Sequence, residues 1–400
     1  MKKIFFMAVS AVLLAAGCQK TEIQNEVLPK IGFDTHMGKL TKEPDAEYAG
    51  LYDNLIEQDF RVWGYFATAG DLNYNLYDNY FGPNKAVLTD GIDVTVTSDT
   101  YDDGGNPVCN TGNATYYWPG KRKELDLYAV SLWNQTGDNV NNYSKVAINP
   151  SSHVLTVTDF FVNNAADDDL MVAPLIRQDQ DDSEFVQPNF QHALTKVLVK
   201  FSTTAQVDDN GNTGVYVKSA KITNVKTTGT LTVTNDLPDA EPASGATLAE
   251  AKFGWELSST AAPAEYTAVY NALLNEVPVV NGVSATTNGS SESAIEYDGL
   301  VPLTASSLTV GSWLLIPHEK TETNDTPIAG VELIVEYIID NVLYTQAFDL
   351  TPANAKVDEW KRNMQTTYNV LIAPEYITFE PTVDEWDNEY DEERGDYSEE

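Results

Sequence analysis

The sequence predicts an all-β protein on three observations. Apolar residues alternate with polar ones over short runs, turn-forming residues separate those runs, and helical patterns are few. One such run places Val197, Val199 and Phe201 on one face and Lys196 and Lys200 on the other. Successive side chains of a strand point to opposite faces, so this alternation predicts a half-buried strand.

The same alternation predicts further strands along the chain. Phe60, Val62 and Phe66 share one face of a strand, and Trp63 and Tyr65 share the other. Two more inward-facing sets follow, namely Leu125, Leu127 and Ala129, and then Val331, Leu333, Val335, Tyr337 and Ile339.

The connections also favour β structure. Asp340 and Asn341 lie between two alternating runs. Asp and Asn tolerate positive φ, so this two-residue loop predicts a tight hairpin. Helical spacing occurs only in short segments, of which Tyr266–Glu276 and Ala46–Glu57 are the clearest. Short strands with turns between them and a few short helices predict β-sandwiches and not a parallel βαβ sheet.

The N-terminus predicts export and a lipid anchor. Lys2 and Lys3 precede the apolar run 4–16, which is too short to cross a hydrocarbon core of about 30 Å and therefore predicts a signal peptide over residues 1–17. The run ends in Leu-Ala-Ala-Gly-Cys, which resembles the lipobox of bacterial lipoproteins and implies lipidation at Cys18. Gln19–Glu22 resembles a short tag for surface export. We expect residues 18–27 to form a flexible tether and the protein to be exposed on the surface of the cell outer membrane.

Charge and cysteine content narrow the function classes. The formal net charge of −36 argues against nucleic acid and anionic lipid as partners, because binding of either depends on Lys and Arg. Residues 387–400 are strongly acidic and predict a mobile tail. With Cys18 lipidated, only Cys109 remains, so no intrachain disulfide is expected.

A composition change predicts two domains. The segment Gln178–Pro188 is acidic and lies between two strand-rich halves. We therefore predict one β-sandwich over residues 28–185 and a second over residues 186–386.

No pattern predicts catalysis, a cofactor or a metal. The chain has no Gly-x-Ser-x-Gly, His-Glu-x-x-His, phosphate-loop or dinucleotide glycine motif. Its four histidines, His36, His153, His192 and His318, are far apart in sequence, and structural roles are expected for them. Two acidic clusters, at 167–169 and 208–212, leave calcium open as an alternative to solvated turns.

Aromatic residues support an alternative function. A glycan-binding lipoprotein of a nutrient-uptake system would also carry a lipobox and β-sandwiches, but it would need an exposed platform of Trp and Tyr. Most aromatic residues lie in alternating runs, where packing explains them. The loop Leu72–Phe81, with Tyr74, Tyr77, Tyr80 and Phe81, is the best exposed candidate for partner contact.

A series of short motifs resembles the fimbrillin family, the type V pilins of Bacteroidetes. In chain order they are Ile-Gly-Phe-Asp at 31–34, Phe-Arg-Val-Trp-Gly-Tyr-Phe at 60–66, Tyr-Trp-Pro-Gly at 117–120, Leu-Asp-Leu-Tyr-Ala at 125–129, Asp-Leu-Met-Val-Ala at 169–173, Phe-Gln-His-Ala-Leu-Thr-Lys-Val at 190–197, Leu-Leu-Ile-Pro at 314–317, Tyr-Asn-Val at 368–370, Ile-Thr-Phe at 377–379 and Val-Asp-Glu-Trp at 383–386. Their order over most of the chain carries the resemblance.

The resemblance implies two tandem transthyretin-like Greek-key β-sandwiches and assembly by donor-strand exchange. A protease would remove the N-terminal strand around Ile31 and Phe33, and a strand containing Ile377, Thr378 and Phe379 from another subunit would replace it. Pro381 must then lie at an edge, a bend or the strand's end.

The processing site and the role remain open at this point. The family's stalk subunits are cut after Arg, but this chain has no Arg before Arg61, so the candidate cleavage sites are Lys39 and Lys42. The implied partners are other fimbrial subunits, the outer membrane through the lipid, and host or bacterial surface ligands. Stalk, tip and anchor are the alternative roles.

Overall fold

The computed structural model shows a protein built almost wholly of β-strands. It describes residues 30–33, 36–37, 60–68, 79–81, 91–101, 107–111, 115–119, 123–133, 143–162, 169–178, 185–186, 188–206, 213–235, 251–259, 263–267, 279–287, 293–321, 324–350, 357–374 and 376–385. Within these residues the one helical element is a 3-10 turn, Tyr143–Lys145. The predicted all-β fold class is confirmed.

Twenty-four strands follow one another along the described chain. The first twelve are β1 (Gly32–Phe33), β2 (His36–Met37), β3 (Phe60–Thr68), β4 (Ile92–Tyr101), β5 (Pro107–Asn110), β6 (Lys123–Trp133), β7 (Val146–Asn149), β8 (Val154–Phe161), β9 (Asp169–Gln178), β10 (Phe185–Val186), β11 (Asn189–His192) and β12 (Thr195–Thr203). The second twelve are β13 (Val215–Val225), β14 (Thr228–Thr234), β15 (Lys252–Leu257), β16 (Ala264–Thr267), β17 (Val283–Thr287), β18 (Ile295–Tyr297), β19 (Val301–Pro302), β20 (Leu308–Leu315), β21 (Glu332–Ile339), β22 (Val342–Asp349), β23 (Met364–Ile372) and β24 (Ile377–Glu385).

These strands form four larger sheets and the two-stranded pair β1-β10. Sheet 1 has the order β2-β11-β9-β6-β3-β4-β5, and sheet 2 has the order β15-β14-β8-β7. Sheet 3 has the order β20-β12-β23-β24. Sheet 4 has the order β16-β13-β21-β22-β17-β18, and β19 also pairs with β13. Non-neighbouring strands therefore meet in every larger sheet, which local alternation does not specify.

The alternation in the sequence correctly predicts which faces are buried. In β3, Phe60 and Val62 pack in one apolar cluster while Trp63 and Tyr65 pack in another, on the opposite face. In β12 the three predicted inward residues are fully buried, and Lys196 and Lys200 are only half-buried. The set from Val331 to Ile339 also faces the core.

The predicted hairpin at residues 340–341 is confirmed. β21 and β22 pair antiparallel up to Ile339 and Val342. Asp340 and Asn341 between them have φ of 49° and 62°. Two successive positive φ values suit a type I′ loop, whose twist matches that of the strands.

Two apolar clusters make up most of the core. The smaller cluster, which we call the N-terminal core, contains buried residues between Ile31 and Phe190 and lies on one face of sheet 1. The larger cluster begins on the opposite face of sheet 1, at Trp63 and Tyr65, and continues through sheets 2, 3 and 4 as far as Ile372. Sheet 1 is therefore covered on both of its faces.

The predicted helix Tyr266–Glu276 is wrong at its start. Tyr266 and Thr267 belong to β16, where Tyr266 pairs with Ile222, and the rest of the segment lies outside the described residues. The Tyr266 hydroxyl donates to the carbonyl of Val162 at 2.6 Å, a contact that local periodicity does not reveal. The second predicted helix, Ala46–Glu57, also lies outside the described residues.

Strand pairing crosses the region of the predicted domain boundary. In sheet 2, β8 pairs with β14, and in sheet 1, β11 pairs with β9. The division into residues 28–185 and 186–386, and its Greek-key topology, stay predictions.

Candidate functional site

The first candidate region is the short N-terminal strand β1, which lies between two other segments. On one side it is parallel to β10, with Gly32 opposite Phe185 and Phe33 opposite Val186. On the other side the Ile31 N–H donates to the Tyr116 carbonyl at 3.0 Å, and Lys30 forms an antiparallel bridge with Tyr117. The segment thus completes the backbone hydrogen bonding of both neighbours.

The side chains of this segment fill the N-terminal core. Ile31 is 7% exposed and Phe33 is 3% exposed. The Phe33 ring meets Phe60 and Phe81 edge-on, at centroid distances of 6.5 and 6.2 Å. Removal of the segment would therefore open a groove over an apolar floor and leave backbone groups of its neighbours unpaired.

β2 extends this contact along the chain. It is parallel to β11, with His36 opposite Asn189 and Met37 opposite Phe190. Because β11 also pairs with β9, one wall of the groove is continuous with sheet 1. We use "acceptor groove" for the space that β1 and β2 occupy between residues 116–117 and 185–190.

An aromatic turn at residues 79–81 packs against β1, where the Phe81 ring meets Phe33. The amide oxygen of Asn79 accepts from the Phe81 N–H at 3.1 Å, and the Tyr80 N–H donates to the Gly64 carbonyl at 2.7 Å. A Cβ at Gly64 would lie 2.5 Å from the Phe81 ring. Glycine at this position of β3 therefore lets Phe81 reach the floor beside Phe33. Phe81 is 3% exposed, so the exposure predicted for it as a partner-contact residue is wrong.

A buried ion pair fixes the strands beneath the acceptor groove. Asp126 on β6 is fully buried and accepts from Arg177 on β9 at 2.7 and 2.9 Å, in the bidentate geometry that suits a guanidinium and a carboxylate. His153 lies 3.7 Å from the same carboxylate. Burial lowers the His153 pKa, and although the Asp126 charge opposes this effect, the net shift is downward.

A second buried pair connects β9 to the wall strand β11. His192 Nδ1 lies 2.8 Å from Asp169 Oδ2. Arg362, just before β23, donates to the Gln191 amide oxygen at 3.1 Å and packs over the Phe253 ring at 3.9 Å. The wall of the acceptor groove is therefore attached both to sheet 1 and to elements of the larger core.

The second candidate region is the C-terminal strand β24, at an edge of sheet 3. All nine of its residues pair antiparallel with β23, from Ile377–Ile372 to Glu385–Met364. Its other edge has no strand neighbour among the described residues. Pro381 lies within β24, so of the three positions predicted for it, an edge, a bend or a strand end, the structure shows the edge, where a strand does not need every N–H.

β24 is only half-buried. Ile377 and Phe379 face the larger core, whereas Val383, farther along the same face, is 46% exposed, and Tyr376, just before the strand, is 54% exposed. The Phe379 ring stacks between Phe348 and Tyr368, at centroid distances of 5.2 and 5.1 Å. Alternate residues of β24 thus supply one apolar face and one solvent face.

A buried aromatic network supports this stack. The Trp360 indole N–H donates to the Tyr368 hydroxyl at 2.9 Å, and burial raises the Tyr368 pKa. Trp360 also meets His318 edge-on at 5.5 Å. Burial lowers the pKa of His318 to about 4, with the Ile316 carbonyl opposing and Lys226 adding to the shift.

Not all predicted site residues fall within the described structure. Ile31 and Phe33 lie together in the N-terminal core, and Ile377, Thr378 and Phe379 lie together in β24. Cys18, the predicted lipidation residue, lies outside the described residues, as do the two candidate cleavage residues Lys39 and Lys42. Most of the loop 72–81, with Tyr74 and Tyr77, and the tail 387–400 also lie outside them.

Sequence reasoning missed the partners of the N-terminal strand. Tyr116, Tyr117, Phe185 and Val186 form its two sides. A strand's neighbours are set by the tertiary fold, and the adjacent Trp118 motif was the one local signal for this region.

Trp118 is fully buried, as are Trp63, Trp313 and Trp360, and Trp255 is half-buried. The described Trp residues therefore do not form an exposed platform.

Within the described residues, three or more His, Cys, Asp or Glu side chains do not come together in a way that could hold a metal ion. A search of the same residues for helices long and apolar enough to span a membrane found none.

Comparison with known proteins supplies the family. A family model described as fimbrillin-like matches residues 82–386, a range that begins after β1 and β2 and ends just after β24. No curated protein matches the chain.

Solved structures from Bacteroides and Porphyromonas species are similar to this chain over most of its length. A fimbrial protein from Bacteroides vulgatus has a TM-score of 0.48 at 15% identity, over 90% of this chain and 100% of its own. The tip fimbrial protein of Porphyromonas gingivalis, truncated at its C-terminus, has a TM-score of 0.33 at 10% identity, over 90% and 99%. The family assignment rests on the matched family model and not on these structures.

Proposed function

The chain belongs to the fimbrillin-like family, and from that premise we propose that it is a structural and adhesive subunit of a cell-surface fimbria. Its proposed partners are other fimbrial subunits, which are copies of itself or of related chains. The proposed contribution of the chain is to give and receive β-strands, and no catalytic step or cofactor is part of it.

The proposal depends on a single observation, the enclosed N-terminal strand. β1 is paired on both sides, and Ile31 and Phe33 fill the N-terminal core. We propose that cleavage after Lys39 or Lys42 releases this strand. An apolar groove with unpaired backbone groups on both sides favours the entry of another extended chain, which restores the hydrogen bonds and the burial together.

β24 is the proposed donor. It is an edge strand with an apolar face and a polar face. Among the described residues its separation from sheet 3 breaks one backbone ladder, with β23, together with the packing of Ile377 and Phe379. A strand transferred from one copy to the next makes a head-to-tail contact, and an open head-to-tail contact generates a filament.

The N-terminus of the mature protein determines whether the subunit is a membrane anchor or a processed part of the fimbria. We propose that Cys18 is lipidated and anchors the precursor on the outer membrane, so the Cys18→Ala variant should lose fatty-acid label and membrane attachment. N-terminal sequencing of the protein from intact cells separates the roles. A start at Cys18 indicates an anchor, and a start after Lys39 or Lys42 indicates a processed subunit.

The two-domain division stays part of the proposal. Limited proteolysis should cut preferentially within the segment Gln178–Pro188, at residues 179–184, because the sequence predicts an exposed acidic stretch there and the structure buries Gln178, Val186 and Pro188 toward its ends. Since β8 pairs with β14, we expect the two fragments to remain associated after the cut. Immediate separation of the fragments would contradict this expectation.

The assembly experiment trims purified protein with a lysine-specific protease and measures oligomers that resist mild detergent. Trimmed wild-type protein should form a ladder of oligomers. The variant Ile377→Asp/Phe379→Asp should stay monomeric, because burial of unpaired carboxylates costs several kcal/mol.

A matched control adds the same charge to the other face of the strand. Thr378 and Thr382 are exposed in β24, so Thr378→Asp/Thr382→Asp should still form the ladder. Monomeric trimmed wild-type protein, or equal polymerisation of the Ile377/Phe379 variant, would contradict strand exchange by this route.

A further inference from the structure

We propose that the strand entering the acceptor groove is β24 of a second copy, parallel to β10 and β11, with Ile377 in the place of Ile31 and Phe379 in the place of Phe33. This inference rests on the proposed function, and it adds the direction and the register of the strand. Both follow from the pairing of the present occupant and from the position of one proline.

The two strands carry the same apolar pattern. Ile31-Gly32-Phe33 and Ile377-Thr378-Phe379 both read Ile-x-Phe, and in both strands Ile and Phe face an apolar core. Residues two apart in a strand share a face, so one pattern presents the same two side chains in the same order. A floor that packs Ile31 and Phe33 is thus complementary in shape to the donor when both strands run in the same direction.

The wall of the acceptor groove imposes one register over its whole length. Gly32 lies opposite Phe185 and Phe33 opposite Val186, and farther along His36 lies opposite Asn189 and Met37 opposite Phe190. Both stretches keep the same offset in residue number. Counted along the donor from Ile377, Thr382 falls opposite Asn189 and Val383 falls opposite Phe190.

In this register the proline of the donor falls opposite a wall residue that lies outside the paired stretches. Pro381 comes opposite Pro188, which lies between the two paired stretches of the wall. Proline lacks a backbone donor, so a position outside the ladder costs it nothing. The inward face of the donor then reads Ile377, Phe379, Pro381 and Val383, which are all apolar.

Other placements conflict with the sequence of β24. A shift of two residues one way puts Pro381 in the place of Phe33, opposite Val186 in the paired stretch. A shift of two the other way puts Glu375 in the place of Ile31, which is 7% exposed. A reversed strand with Phe379 in the place of Ile31 turns Glu375 inward. Burial of an unpaired carboxylate or loss of a ladder position disfavours each of these.

The outward face makes the register measurable. Asn189 on the wall is exposed, and in β24 Glu380, Thr382 and Asp384 are exposed. Opposite residues in adjacent strands lie within the Cα separation that a disulfide accepts, whereas residues displaced by two do not meet its geometry. A disulfide between wall and donor therefore reports which residues are opposite each other.

The experiment mixes two versions of the chain in a Cys18→Ser/Cys109→Ser background. The acceptor carries Asn189→Cys and is trimmed with the lysine-specific protease. The untrimmed donor carries Thr382→Cys, and the two matched controls carry Glu380→Cys or Asp384→Cys. After mild oxidation, the yield of cross-linked dimer with Thr382→Cys should exceed that of either control by about tenfold.

The outcomes separate the register from the proposed function. Oligomers that cross-link best through residue 380 or 384, or through none of the three, overturn the register and leave strand exchange intact. If the trimmed acceptor binds no donor, and so behaves like untrimmed protein in the same assay, strand exchange is overturned and the register with it.

Discussion

β1 and β24 both direct an Ile and a Phe two residues apart into an apolar core, yet the fold holds them differently. β1 is short, but it has neighbours on both sides, and Phe33 is 3% exposed. β24 is nine residues long, but among the described residues it has one neighbour strand, and Phe379 is half-buried. The first strand combines deep side-chain burial with pairing on two sides, and the second has a long backbone ladder on one side.

The difference suits the roles proposed for the two strands. A strand held mainly by deep side-chain burial leaves a large defect when it is removed, so its place has a high affinity for a replacement. A strand at an open edge leaves its own sheet without breaking hydrogen bonds on two sides. The proposed roles therefore require deep side-chain burial of the strand that is replaced and an open edge for the strand that replaces it.

The largest expected effect compares the two phenylalanines directly. Phe33→Ala removes a fully buried ring and should lower the free energy of unfolding by about 3–5 kcal/mol. Phe379→Ala removes a half-buried ring and should cost about 1–2 kcal/mol, because part of its surface already contacts water. Urea denaturation of the untrimmed protein measures both values.

Thr378→Ala, on the exposed face of β24, is the control for this comparison and should change stability by less than about 0.5 kcal/mol. Equal losses for the two Phe variants would show that β24 is held as deeply as β1.

Acid should loosen the β24 region before the β1 region. The His318 pKa is about 4 in the folded protein and near its usual 6.5 when unfolded, so the unfolded state binds the extra proton between these values. The contribution of uncharged His318 to the free energy of unfolding is complete above about pH 6.5 and is lost as the pH falls toward 4. Each pH unit in this window removes up to about 1.4 kcal/mol, and the total approaches about 3 kcal/mol.

This loss should reach β24 because His318 packs on Trp360, which donates to Tyr368, on which Phe379 stacks. Hydrogen exchange at pH 7 and pH 4.5 measures protection of β24 against that of residues 31–33. His318→Gln, which does not titrate, should flatten the pH dependence of β24. A variant as acid-sensitive as the wild type would exclude His318 as the cause.

The smallest expected effect comes from one hydroxyl. Tyr368→Phe leaves the ring stack in place but removes the acceptor of the Trp360 indole N–H, which is buried. An unsatisfied buried donor costs about 1–3 kcal/mol. We expect a loss near the lower end, with faster hydrogen exchange in β23 and β24 and unchanged exchange at residues 31–33. Equal acceleration in both regions would contradict the separation between the two strands.

Local signals in the sequence were sufficient for the strands and their faces. Alternation placed Trp63 and Tyr65 opposite Phe60 and Val62, and it identified the inward residues of β12. Asp340-Asn341 predicted the hairpin with positive φ, because backbone sterics act within a few residues. The helix predicted from Tyr266 failed, because its contacts with Ile222 and Val162 lie far away in sequence.

The sequence by itself determined the all-β class and the inward faces of strands such as β3 and β12, since side-chain periodicity is local, and it limited Pro381 to an edge, a bend or a strand end, since proline has no N–H. Only the tertiary structure decided that β1 is enclosed by residues 116–117 and 185–186 and that β24 lies at an edge of sheet 3. The physical reason is that a strand's own residues fix which side chains share a face, whereas its hydrogen-bond partners are chosen by the packing of the whole chain.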